Sequence, residues 1–119
     1  MQEDFEVHAT LAAFVVTFTQ VQERAHKNAV SKGFWDVERN AGESIALIHS
    51  ELSELLEGLR KGNPPSDKIP EFSQAEEEAA DVVIRLFDLA GGSKWRLAEA
   101  IVAKMAYNVN RPYKHGKQF

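Results

Sequence analysis

The chain has 119 residues, room for one domain with a modest core and too few for two ordinary ones. Apolar residues make up 44%, which argues against a disordered chain, and the formal charge of −4 argues against a general nucleic-acid binder. There are no cysteines, which excludes a disulfide framework and thiolate metal sites. No apolar run reaches the length that crosses a bilayer, and Glu3, Asp4 and Glu6 stand where a basic leader would begin. We therefore expect a single domain over residues 1–119, cytoplasmic, with no membrane or nucleic-acid partner.

The first segment, from about Val7 to Lys27, has Val7, Leu11, Phe14, Phe18, Val21 and Ala25 at spacings of three and four, the period of an amphipathic helix. Val15 and Val16 widen its apolar face beyond what one core requires. Asn28 to Arg39 reads as a loop that holds Gly33 and two neighbouring aromatics, Phe34 and Trp35. Such rings either plug the end of a core or stack on a planar ligand.

Asn40, with Glu43 three residues on, caps a second helix that runs to about Lys61 and ends at Gly62-Asn63-Pro64-Pro65. Its apolar stripe is Ile45, Ile48, Leu52, Leu55 and Leu59. Glu51 borders the stripe and Glu54 lies just outside it, on the same side. A polar loop from Gly62 to Phe72 follows. Ser73 and Glu76 form a capping box that opens a third helix, expected to stop at Gly91-Gly92. Here Val82, Val83, Leu86 and Ala90 make the stripe, flanked by Glu78 and Asp81 in the same rotational sense. Ser93 is expected to cap a fourth helix, with Leu97, Ile101, Val102, Met105 and Val109 as its apolar positions. The tail from Asn110 concentrates Arg111, Lys114, His115 and Lys117 near the end of a net acidic chain. No strand pattern survives, so the fold class is all-α, a four-to-five-helix bundle.

A helix turns about 100° per residue, so residues three apart share a face. Two helices packed through these stripes bring Glu51, Glu54, Glu78 and Asp81 toward one another. Four carboxylates in a small space repel, and a hard divalent cation relieves the conflict, because Mg²⁺ and Mn²⁺ take oxygen ligands. Lys104, Asn108 and Arg111 fall close together on the last helix and its exit. An acidic metal cluster facing cationic donors is what a polyphosphate requires.

With these residues in view the chain resembles the all-α MazG-like nucleoside triphosphate pyrophosphohydrolases. The family motif is Glu-x-x-Glu, a variable spacer, then Glu-x-x-Asp. Here it is Glu51-x-x-Glu54, twenty-three intervening residues, and Glu78-x-x-Asp81. Gly33-Phe34-Trp35, Ala46-Leu47-Ile48-His49-Ser50, Asp81-Val82-Val83-Ile84-Arg85, and the ending Lys104-Met105-Ala106-Tyr107-Asn108 through Arg111-Pro112-Tyr113-Lys114-His115-Gly116 carry the rest of the likeness. It spans about Lys32 to Lys117.

The resemblance implies cleavage between the α and β phosphates of a nucleoside triphosphate, giving a nucleoside monophosphate and pyrophosphate. It makes Glu51, Glu54, Glu78 and Asp81 the ligands of Mg²⁺, with Mn²⁺ able to replace it. Lys104, Asn108 and Arg111 become phosphate contacts, joined more weakly by Tyr113 and Lys114, and Phe34 and Trp35 become base-stacking groups. It implies a homo-oligomer, dimer or tetramer, in which a neighbouring subunit completes the site, and a role in cleaning the nucleotide pool. Two other readings stay open: a helical interaction module without catalysis, and a phosphoribosyl-nucleotide pyrophosphohydrolase with the same carboxylate logic. A carboxylate-bridged di-iron bundle is remote, because its Glu-x-x-His pattern is absent.

Overall fold

The computed structural model describes residues 2–119, with side-chain surroundings from residue 8 onward. Four α-helices follow in order: α1 (Gln2–Ser31), α2 (Ala41–Arg60), α3 (Gln74–Ser93) and α4 (Leu97–Val109). A single 3₁₀ turn at Tyr113–Gly116 closes the chain. Among the described residues there is no strand, only an isolated bridge between Pro65 and Ser73. Among the described residues none of the helices is long and apolar enough to cross a membrane. The all-α expectation holds.

α3 is the central element. It packs on both α1 and α2, while α4 leans on α1. Phe87, Leu89 and Ala90 of α3 and Ala98 of α4 are buried, and Phe18 meets Phe87 edge-on at 4.7 Å between ring centroids. Among the described residues no large side chain is fully buried. α1 is longer than its periodicity suggested, and Val7, the first position of its expected stripe, lies outside the residues whose side chains are described. The loop that follows α1 shortens to match, to residues 32–40.

The caps explain the helix ends. Asn40 Oδ1 accepts the amides of Gly42 and Glu43 at 2.7 and 3.3 Å, and Ser73 and Glu76 exchange the two bonds of a capping box. α1 ends with Gly33 at φ +88°, where the Phe34 amide reaches back to Ala29 O at 3.1 Å and the Gly33 amide to Val30 O. α2 ends in the same way at Gly62.

α3 departs from the expected stop at Gly91-Gly92. The helix passes through both glycines to Ser93 and reverses at Lys94, which adopts φ +60°. The glycines serve close approach instead. A β-carbon at residue 91 would stand 2.8 Å from His26 Cβ, and one at residue 92 would overlap the Trp35 ring. Ser93 is the last residue of α3 and caps nothing. The residue preceding α4 is Arg96, which makes no side-chain cap bond.

The stripe on α2 is only half covered. Ile48 and Leu55 are partly buried, whereas Ile45, Leu52, Leu56 and Leu59, which share one side of the helix, are all exposed. Val83 and Ile84 of α3 and Phe14 and Val16 of α1 are exposed as well.

Candidate functional site

The packing of α2 on α3 brings three carboxylates together. One oxygen each from Glu51, Glu78 and Asp81 can be chosen so that all lie within 4.8 Å of one another, the only such acidic group among the described residues. Glu78 is buried and the other two are half-buried. Glu54, one turn further along α2, is exposed and stands outside the group. The two helix pairs therefore meet unequally, two carboxylates from α3 against one from α2.

Crowding raises the proton affinity of this group. Burial pushes the Glu78 carboxyl up from 4.5 to about 7, with Glu51 and Glu77 adding to the rise through hydrogen bonding and charge. Burial also raises Asp81, helped by the charges of Glu51 and Glu77 and opposed by Lys68 and Arg85. A set of oxygen donors held close enough to repel suits a hard cation, and three donors leave positions for water and phosphate oxygens.

A cavity of about 320 Å³ opens beside the carboxylates. Glu51, Asp81, Ile84, Arg85 and Asp88 form one side, Ala25, Asn28 and Ala29 of α1 the other, and Phe34, Arg39 and Lys68 come in from the loops. On α3 the residues Glu78, Asp81, Arg85 and Asp88 follow at spacings of three, four and three, one continuous face. Arg85 Nε donates to Glu51 Oε1 at 2.9 Å, tying α3 to α2 across the cluster.

The loop between α2 and α3 is folded onto the start of α3. Buried Ser66 donates to Glu77 Oε1 at 2.7 Å and accepts the amides of Lys68 and Ile69, while Asn63 Oδ1 accepts the Ala75 amide. These bonds carry Lys68 to the cavity wall. It also lines a second hollow, with Lys61, Glu77 and Glu78.

The aromatic pair divides. Phe34 is 62% exposed and lines the cavity. Trp35 turns inward over Gly92, and its Nε1 donates to Asp88 Oδ1 at 2.8 Å. Asp88, itself buried, also bonds His26 Nδ1 at 2.9 Å and accepts from Arg39 Nη1 at 2.8 Å. Arg39 stands over the Trp35 ring at 5.0 Å. This buried junction secures the loop that presents Phe34 and Arg39. Asp88 fell inside an expected helix with no partner in its own sequence neighbourhood, so nothing local distinguished it.

The basic end does not reach the cluster within one chain. Lys104 Nζ sits over the Tyr107 ring at 4.5 Å and Arg111 over the same ring at 5.8 Å. Lys114 lies over Tyr113, which is almost fully exposed. Asn108 is partly buried on α4, with its Oδ1 lacking a hydrogen-bond partner. None of these residues lines the cavity, whose cations are instead Arg39, Lys68 and Arg85. Arg39 and Arg85 lie within the segments read as a loop and a helix, but the only signal for their role is the fold that turns them to one space.

No protein-family model, no curated protein and no solved structure matches the chain.

Proposed function

We propose that the protein is a Mg²⁺-dependent nucleoside triphosphate pyrophosphohydrolase, releasing pyrophosphate and a nucleoside monophosphate. The observation that carries this reading is the convergence of Glu51, Glu78 and Asp81, the first and last of which line a cavity whose walls also supply Arg39, Lys68 and Arg85. Acids to hold a cation and bases to hold anionic oxygens stand side by side, the pairing a polyphosphate needs. The motif likeness to MazG-like enzymes supports the same class.

In this reading Glu51, Glu78 and Asp81 hold the cation, and Glu54 joins from the next turn of α2. Mg²⁺ held there would supply polarisation of phosphate oxygens and a lowered pKa for water. Arg39 and Lys68 neutralise the phosphate chain from the cavity wall. Phe34 offers its exposed ring to the base, and Trp35 and Asp88 hold the Phe34 loop in place. A carboxylate of the group not engaged by the cation would serve as general base toward that water.

The reading includes a homo-oligomer. The exposed side of α2 at Ile45, Leu52, Leu56 and Leu59 favours a second copy, because a chain of this length leaves its core thin when alone. A neighbouring subunit then supplies Lys104, Asn108 and Arg111, which do not reach the cavity of their own chain. The test is a panel of ribo- and deoxyribonucleoside triphosphates assayed for pyrophosphate release with and without Mg²⁺. Release that needs Mg²⁺ supports the assignment. No release from any nucleotide overturns it and returns the chain to a helical interaction module.

A further inference from the structure

Arg85 ends the stretch Asp81-Val82-Val83-Ile84-Arg85 without a role assigned to it, yet it makes the one ion pair of the described residues that involves the carboxylate group. It stands one turn beyond Asp81 on α3 and crosses to α2, where Nε donates to Glu51 Oε1 at 2.9 Å. Glu51 is the less accessible partner, half-buried with 17% of its side chain accessible, and Arg85 is partly open at 36%. The bond uses Nε, which leaves the two terminal Nη groups as a forked donor pair on a side chain that lines the cavity.

A divalent cation bound by the three carboxylates needs the oxygen charge that Arg85 now neutralises. Both cations draw on Glu51, and their mutual repulsion at that distance opposes joint occupation. A guanidinium released from Glu51 has a planar fork suited to phosphate oxygens, and it is already at the cavity wall.

We propose that Arg85 is the resident counter-ion of the carboxylate cluster, which gives up Glu51 when a divalent cation binds and then grips the phosphate chain of the substrate. The first half concerns the cation alone. The second half rests on the nucleotide reading above. The exchange would keep the empty cluster from repelling itself apart, and it would make a strong phosphate donor available only once the cation is in place.

The test is Mn²⁺ binding to the full chain without nucleotide, read from the free-ion electron paramagnetic resonance signal, for wild type, Arg85→Gln and Arg85→Lys. Arg85→Gln is expected to bind Mn²⁺ about fivefold more tightly, about 1 kcal/mol at 1.4 kcal/mol per decade. Arg85→Lys, which keeps the charge, is expected to stay closer to wild type. Unchanged or weaker Mn²⁺ binding by a folded Arg85→Gln protein, with a circular dichroism spectrum like that of wild type, overturns the exchange. Should Arg85→Gln fail to fold, Arg85→Lys decides by saturation with nucleotide. KM for the Mg²⁺-nucleotide complex is expected to rise about tenfold, because a point charge replaces the fork, and an unchanged KM overturns the phosphate role. Absence of turnover in wild type itself counts against the nucleotide reading, and the Mn²⁺ comparison still decides the exchange.

Discussion

The six-membered ring of Trp35 lies where a β-carbon on Gly92 would stand, while its Nε1 donates to Asp88 one turn earlier on α3 at 2.8 Å. The loop after α1 is thus fastened to α3 by a shape fit and a hydrogen bond at adjacent turns. Replacing Gly92 with Ala forces the indole to move, and overpacking of this kind costs about 1–3 kcal/mol. Trp35→Ala is expected to cost about 3 kcal/mol, the low end for a tryptophan truncation, because the side chain is only partly buried. Urea unfolding measures both. A Gly92→Ala protein as stable as wild type would show that the loop is not seated this way.

On the proposed nucleotide reading, Phe34 meets the base and Arg111 of a neighbouring copy meets the phosphates, so variants of the two should differ. An exposed ring at the cavity wall contributes by stacking, worth about 1–3 kcal/mol per base in nucleic-acid systems. Phe34→Ala should therefore reorder kcat/KM among the bases, by about tenfold for the base most affected. Arg111→Ala should lower all nucleotides alike, since a phosphate contact carries no base information. Relative kcat/KM for several nucleotides on the two variants checks both expectations. Trp35→Ala should lower the melting temperature, and any change in ranking should follow that of Phe34→Ala, because Trp35 seats the loop that carries Phe34.

Glu51→Gln and Asp81→Asn are each expected to reduce pyrophosphate release to below about one hundredth of wild type, beyond the 10–100-fold typical of losing an outer partner of a metal site. Both should keep the helical spectrum. Relief of repulsion around Glu78 and Asp81 removes a strain from the cation-free protein, so the Asp81→Asn melting temperature should equal or exceed that of wild type, whereas Glu51→Gln also gives up the ion pair with Arg85 and should gain less or lose. Near-wild-type activity in either variant at saturating Mg²⁺ would remove that residue from the metal set.

The cation-free protein should lose stability as pH rises toward and through neutrality. Glu78 holds its proton to about 7 in the folded chain against 4.5 when unfolded, so between those values the native state binds more protons. Stability then falls with pH, and the contribution of protonated Glu78 is fully present below about 4.5 and gone above about 7. Asp81 acts in the same direction. Melting curves at pH 5.5 and 8 should differ in that sense for wild type and by less for Glu78→Gln. Mg²⁺ added at pH 8 should raise the wild-type melting temperature by binding the folded state alone.

The open side of α2 predicts association. Leu56 is 51% exposed, between Leu52 and Leu59. Sedimentation at micromolar concentration should show a dimer or larger species, and Leu56→Glu should shift it toward monomer by placing a charge in the contact. A wild-type monomer under those conditions would leave the apolar side without a partner copy.

Local sequence was enough for the existence of the four helices and for the starts of α2 and α3, because periodicity, Asn40 and the Ser73–Glu76 box act within a few residues, but not for the starts of α1 and α4. It was also enough to put Glu51 and Glu54 on one side of α2, and Glu78 and Asp81 on one side of α3. A helical period specifies the direction in which a side chain leaves its own axis. It says nothing of the height at which two axes meet. Residues three apart are separated by about 4.5 Å along the axis, enough for Glu51 to join α3 while Glu54 remains outside. The same limit hid the cavity's cations, since Arg39, Lys68 and Arg85 come from three separate segments that only tertiary packing turns to one space. Gly91 and Gly92 show it most directly. Read locally they break a helix, but in the folded chain their missing side chains make room for His26 and Trp35 from 50 or more residues away.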